Sequence, residues 1–215
     1  LDVANHIEQT FDGGFIISAT TESYGQGGKD IWLFKTDASG LIQWNTYLGT
    51  PYNDNAGQVL ETADGGFMLI GSKGNSDGNS DMWLIKTNSQ GDSLWTRSYG
   101  GSQSDQGYDI LVDEQGGFIL LGSTESLGNG GKDIWLFKID ENGNEEWGHT
   151  YGNGSDDIGQ SIVRTYDGGY MIRYVIKSYG LGNTAIGLLR IGQGREEIWT
   201  RTIGGSTGIP GKSLQ

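Results

Sequence analysis

Apolar residues alternate with polar or small ones along almost the whole chain. The runs YDILVDE (Tyr108–Glu114), GFILLGST (Gly117–Thr124), DIWLFKID (Asp133–Asp140) and EEWGHTYG (Glu145–Gly152) show it well. A period of two sends successive side chains to opposite faces, so each run predicts a strand of about four to seven residues. No stretch has helical spacing or a capping box. The runs are separated by turn chemistry. Asp-Gly-Gly at Asp12, Asp64 and Asp167, and Glu-Asn-Gly at Glu141–Gly143, supply the positive φ angles of tight hairpins.

The pattern repeats. GGKDIWLFK occurs identically at Gly27–Lys35 and Gly130–Lys138, with GNSDMWLIK (Gly78–Lys86) between them. Gly-Gly-aromatic recurs at Gly13, Gly65, Gly116 and Gly168. All seven tryptophans fall in two series, Trp32, Trp83 and Trp135, and Trp44, Trp95, Trp147 and Trp199, at a spacing of 51–52 residues. Four repeats are expected at 1–48, 49–99, 100–151 and 152–204, with 205–215 opening a further one. Four short antiparallel strands cannot bury both apolar faces alone and must stack on neighbours. The predicted fold is an all-β propeller of four-stranded antiparallel blades, a segment of a larger propeller or a closed four-bladed ring. The tryptophans are read as packing between blades. Repeat four departs, with Gly187 in place of the strand-three tryptophan and Tyr174 in place of Ala19, Gly71 and Gly122. A tyrosine ring filling the lost indole volume is the expectation.

Composition narrows the partners. The chain has 215 residues, a formal charge of −13 and no cysteine. An acidic surface repels phosphate backbones and anionic lipid, so nucleic acid and membrane insertion are not expected. Without cysteine there is no disulfide or thiolate chemistry. The 39 glycines would fit a low-complexity chain, but 7 Trp, 10 Tyr and 6 Phe argue for a packed core.

The elements T-x-DGG-[FY], G-x-T-E-S-x-G-x-GG-x-D-I-W-L-x-K and D-x-x-G-x-x-x-W resemble the roughly 52-residue-repeat propellers of secreted and surface proteins of Bacteroidetes-type bacteria, cargo of the type nine secretion route. Repeats two and three match best, while repeat four has Ala185 for the aspartate and Gly187 for the tryptophan. The resemblance covers nearly the whole chain and implies an extracellular or cell-surface location, without implying a reaction. D-x-x-G-x-x-x-W (Asp37–Trp44, Asp140–Trp147) is also similar to the tryptophan-docking element of quinoprotein propellers. It is one residue short between Asp and Gly, so it is taken as the same structural device and not as a quinone site.

Candidate chemistry follows from strand order. The first and third connections of a blade lie at one end and are tight turns. The second connection and the blade-to-blade link lie at the other end and are long. That long-loop face holds the candidate ligand-binding residues Tyr24, Tyr52, Asp54, Asp105, Asp156 and Asp157, a negative field suited to cations or neutral polyhydroxyl ligands. Asn75, Asp77, Asn79 and Asp81 alternate as calcium ligands do, though without the glycine and distal glutamate of an EF-hand. Alternate Asx residues also brace glycine-rich turns, and both readings stand. The recurring cations Lys35, Lys86, Lys138 and Arg190 are expected to pair carboxylates such as Asp37 or Asp140. No serine nucleophile, phosphate-binding loop or HExxH element occurs. The leading expectation is therefore a non-catalytic binding or spacer module for protein or glycan, with no cofactor beyond possible Ca²⁺. The alternatives are part of a glycan-active or quinoprotein-like enzyme, and a structural subunit of an extracellular assembly.

Overall fold

The computed structural model describes residues 1–177 and 184–204. The second connection of repeat four, expected to be one of the long loops, falls mostly outside them, as does the start of a further repeat at 205–215. The described residues contain no helix and sixteen strands in four antiparallel sheets, the blades of a β-propeller. Blade 1 comprises β1 (Asp2–Gln9), β2 (Phe15–Thr21), β3 (Asp30–Thr36) and β4 (Ile42–Leu48). Blade 2 comprises β5 (Asn55–Glu61), β6 (Phe67–Gly74), β7 (Ser80–Thr87) and β8 (Ser93–Tyr99). Blade 3 comprises β9 (Asp105–Val112), β10 (Phe118–Thr124), β11 (Asp133–Ile139) and β12 (Glu145–Tyr151). Blade 4 comprises β13 (Asp156–Arg164), β14 (Tyr170–Lys177), β15 (Thr184–Ile191) and β16 (Glu197–Ile203). The chain divides into two compact units, Leu1–Ile110 and Leu111–Gln215.

Register assigns each blade two distinct faces. In blade 1, Ile16 pairs with Lys35, Ser18 with Leu33 and Thr20 with Ile31, while Ile17 pairs with Phe34 and Ala19 with Trp32. In the first unit the Ile16, Ile31 and Leu33 face meets Val59, Phe67, Leu69, Trp83 and Ile85 of blade 2. The second unit repeats this arrangement, with Ile119, Leu121, Ile134 and Leu136 against Ile162, Ile172, Leu189 and Ile191. Branched aliphatics from one sheet thus fill the aromatic and aliphatic face of the next, which is why one repeat could not stand alone. Trp83 and Trp135 are buried, and Trp44 packs on Phe67 at 5.7 Å between ring centroids.

Blade 4 has the expected exchange. Tyr174 is the cross-strand partner of Gly187 and is buried in the core of its unit. A Cβ on Gly187 would lie 2.1 Å from Tyr174 Cζ, so the ring occupies the space an indole fills elsewhere.

The lysine pairing differs from expectation. Lys35 Nζ donates to Asp12 (2.6 Å) and Lys86 Nζ to Asp64 (2.8 Å), while Arg190 pairs with Asp167. Asp37 and Asp140 instead cap their own turns, accepting from the backbone N–H groups of Ser39 and Leu41, and of Asn142 and Asn144. The hairpin turn of Asp-Gly-Gly sits beside the end of strand three, closer to the cation than the following turn does. In blade 3 that turn carries Gln115 in place of the aspartate, and the carboxylate moves two residues back to Asp113, 2.7 Å from Lys138.

Candidate functional site

The long-loop end is held together by buried aspartates acting on the backbone. Each accepts the N–H of the residue four positions earlier: Asp54 from Thr50 (2.5 Å), Asp105 from Gly101 (2.9 Å), Asp157 from Asn153 (2.9 Å), Asp30 from Gln26 (3.1 Å) and Asp133 from Asn129 (2.8 Å). Such bonds fix loops that have no ladder of their own. The carboxylates also come in pairs. A Cβ on Gly100 would lie 2.5 Å from Asp81 Oδ1 and 2.6 Å from Asp105 Oδ2. One on Gly152 would lie 2.1 Å from Asp133 Oδ1 and 3.1 Å from Asp157 Oδ2. Only a residue without a side chain fits between them, which is the role of Gly100 and Gly152 at the ends of β8 and β12.

Burial and proximity shift the titration of these groups. Asp157 is pushed up to about 6, chiefly by desolvation and secondarily by the charges of Asp133 and Asp156. Asp81 is raised by burial and then by Asp105, and Asp133 by burial.

The predicted ligand-binding residues therefore separate. Asp54, Asp105 and Asp157 are buried braces, and Asp156 accepts the N–H of Lys132 at 3.1 Å. Tyr24 is exposed and stacks on Tyr47 at 5.2 Å, which stacks on Trp32 at 6.0 Å. Tyr52 lines a cleft of about 560 Å³ in the first unit. Asn75 and Asn79, proposed above as metal ligands, line the same cleft, with Asn53, Asn55 and Gln106.

The side chains of the Asn75–Asp81 set are engaged in separate local contacts. Asn75 Oδ1 accepts from the N–H groups of Asp77 (3.0 Å) and Asn79 (3.1 Å), so it is a turn brace. Asn79 Nδ2 donates to the Ser102 carbonyl (3.1 Å), and Asp81 stands beside Asp105. Among the described residues no group of three or more His, Asp or Glu side chains is arranged to hold a metal.

The cleft is thus walled by side-chain amides and hydroxyls, with one exposed tyrosine and no formal charge among its lining residues. Asp54 ties two lining segments together, accepting the Thr50 N–H at 2.5 Å and the Gly74 N–H at 2.9 Å. Sequence reasoning found Tyr52 but missed the amides around it, because Asn53, Asn55 and Gln106 read as ordinary turn and strand residues until the loops meet.

No protein-family model matches the chain, and no curated protein matches its sequence. Solved structures do. A thermostable family-43 glycoside hydrolase aligns over 96% of this chain and 74% of its own, with a TM-score of 0.63 at 13% identity. An endo-arabinase from Bacteroides thetaiotaomicron aligns over 92% and 81%, with a TM-score of 0.62 at 13% identity. At that identity the likeness establishes the fold, a β-propeller. It also overturns the non-catalytic binding or spacer module as the leading expectation, because the two structures that share the fold are a glycoside hydrolase and an endo-arabinase.

Proposed function

We propose that this chain is a glycan-active β-propeller that takes a neutral polysaccharide into the Tyr52 cleft. The observation that carries the reading is the composition of that cleft. Amides and hydroxyls offer both donors and acceptors to sugar hydroxyls, and Tyr52, 43% exposed, offers a ring face to a sugar C–H face. Glycan-hydrolysing propellers with the same fold over nearly the whole chain support it further. Hydrolysis needs two carboxyl groups in different protonation states. The carboxyl groups next in sequence to the wall, Asp81 and Asp105, do not line the cleft, and Asp105 is a fully buried brace, so the Tyr52 cleft is assigned to holding the polymer and no catalytic pair is named. A polymeric substrate is met outside the cell, in keeping with the surface location that the repeat implies.

The test is reducing-end release from arabinan and xylan, alongside binding by affinity electrophoresis in gels containing the polymer. The protein should retard in at least one gel and release reducing ends from it, and Tyr52→Ala should abolish retardation. A wild-type protein that neither retards nor releases would overturn the reading.

A further inference from the structure

Three departures from the repeat, and a fourth residue at a position that varies in every repeat, meet in one cavity at the short-turn end of the second unit. Asp113 stands where the other repeats have Thr10, Thr62 and Thr165, and Gln115 where they have Asp12, Asp64 and Asp167. Arg164 stands where they have Gln9, Glu61 and Val112, and Arg195 where they have Gly40, Gly91 and Gly143. All four line a cavity of about 440 Å³, together with Lys138 and Trp147. Structural residues recur with the repeat, so non-repeating residues that converge on one cavity mark something particular to this protein.

Arg195 is the sharpest of them. Its φ of 71° makes it the one non-glycine residue in the left-handed region among the described residues, at a position where Gly40, Gly91 and Gly143 have φ of 84°, 84° and 79°. An L side chain is disfavoured there, and such outliers gather at ligand sites. In the first unit the equivalent Gly91 lies against the indole of Trp44, where a Cβ would come within 2.6 Å of Cζ3. In the second unit the guanidinium of Arg195 lies over the Trp147 ring at 4.7 Å, and the Tyr151 hydroxyl donates to the Arg195 carbonyl at 2.8 Å. The residue is held at its backbone carbonyl and at its guanidinium.

The charges around it are unequal in availability. Asp113 is committed to Lys138 (2.7 Å) and Arg164 (2.6 Å), and Lys138 also meets Glu146 (3.0 Å). Among the described residues no carboxylate pairs with Arg195. The lining carries three cations, Lys138, Arg164 and Arg195, against two carboxylates, Asp113 and Glu114, in a chain whose formal charge is −13.

We propose that this cavity binds the carboxylate of an acidic sugar, of the uronic acid class, with Arg195 as its clamp. A planar guanidinium presents two parallel N–H donors that match a carboxylate, and the indole beneath fixes its plane. The sugar half of the assignment rests on the glycan-active reading above, whereas the carboxylate half rests on the cavity alone.

Isothermal titration of the 215-residue chain with a galacturonic acid trimer, the neutral galactose trimer and acetate tests it. The acidic trimer should bind at least about tenfold tighter than the neutral one, since a charge-assisted pair is worth roughly one decade or more of affinity. Arg195→Gly restores the residue that the backbone favours, so its thermal midpoint should hold or rise while acidic-trimer binding falls about tenfold or more. Arg195→Lys, which keeps the charge and loses the fork, should fall between. Equal affinity for the two trimers, or binding unchanged in Arg195→Gly, would overturn the proposal. Acetate binding as tightly as the acidic trimer would overturn its sugar half. None of these readouts depends on polymer hydrolysis, so failure of the Tyr52 cleft as an active site remains distinguishable from failure here.

Discussion

A single relocated carboxylate shows how this fold keeps its bonds while its sequence drifts. Lys138 is buried and must have a counter-ion, because an unpaired buried ammonium is costly. Blade 3 lost the turn aspartate at Gln115 and supplies Asp113 instead, which collects Arg164 as well. Asp113→Thr alone, the residue that the other repeats carry, should therefore destabilise by about 2 kcal/mol, since Lys138 keeps only the more exposed Glu146 and Arg164 loses its partner. Adding Gln115→Asp should recover part of that loss, through Lys138 and not through Arg164. Urea denaturation of the two single variants and the double variant measures the coupling. Strict additivity would refute the exchange. From sequence the aspartate-to-glutamine change at 115 is visible, but its compensation is not, because threonine-to-aspartate two residues earlier has meaning only once both point at Lys138.

At the scale of the element, blade 4 is a blade built with the volume moved across one strand. Tyr174 fills from β14 the space that Trp83 or Trp135 fills from strand three in blades 2 and 3. Tyr174→Gly should open a cavity costing about 4 kcal/mol, in the range of large aromatic truncations. Gly187→Trp alone should also destabilise, because its Cβ and ring enter the space of Tyr174. The double variant restores the arrangement of blades 2 and 3 and should fold more stably than either single one, read as the urea midpoint. The exchange could be inferred from the sequence because both changes interrupt a strict repeat at positions that pair across neighbouring strands. The turn at Arg195 could not be read so easily: glycine shifts one place earlier to Gly194, and the sequence alone does not say which residue adopts positive φ.

For the whole molecule, buried Asp157 and exposed Asp64 couple stability to pH in two opposite directions. Asp157 titrates near 6 when folded and near 3.8 when unfolded, so its contribution is fully present below about 3.8 and is lost as pH rises through about 6. Asp64 is held down to about 2, first by the Lys86 hydrogen bond and then by that from Thr62, so its contribution is present above about 3.8 and is lost as pH falls through about 2. The thermal midpoint should therefore peak in mild acid, at about pH 4, and decline toward neutrality. Asp157→Asn keeps an acceptor for the Asn153 N–H and removes the charge, so its midpoint should decline less between pH 4 and pH 7. Parallel curves for the two proteins would show that Asp157 does not titrate as argued.

The sequence by itself determined the architecture: the period of two made strands, the Asp-Gly-Gly turns made hairpins, and the 51–52-residue spacing of Trp32, Trp83 and Trp135 required stacked blades. These are local signals or strict repeats, legible because each blade solves the same packing problem. Only the tertiary structure decided what the polar residues do. Asp54, Asp105 and Asp157 look like surface ligands in sequence and prove to be buried braces, while Tyr52 and the amides of Asn53, Asn75 and Asn79, scattered over two loops, meet in one cleft. Burial of a carboxylate and convergence of side chains depend on how loops from different strands approach one another. That approach is set by blade packing and carries no period that the sequence could display.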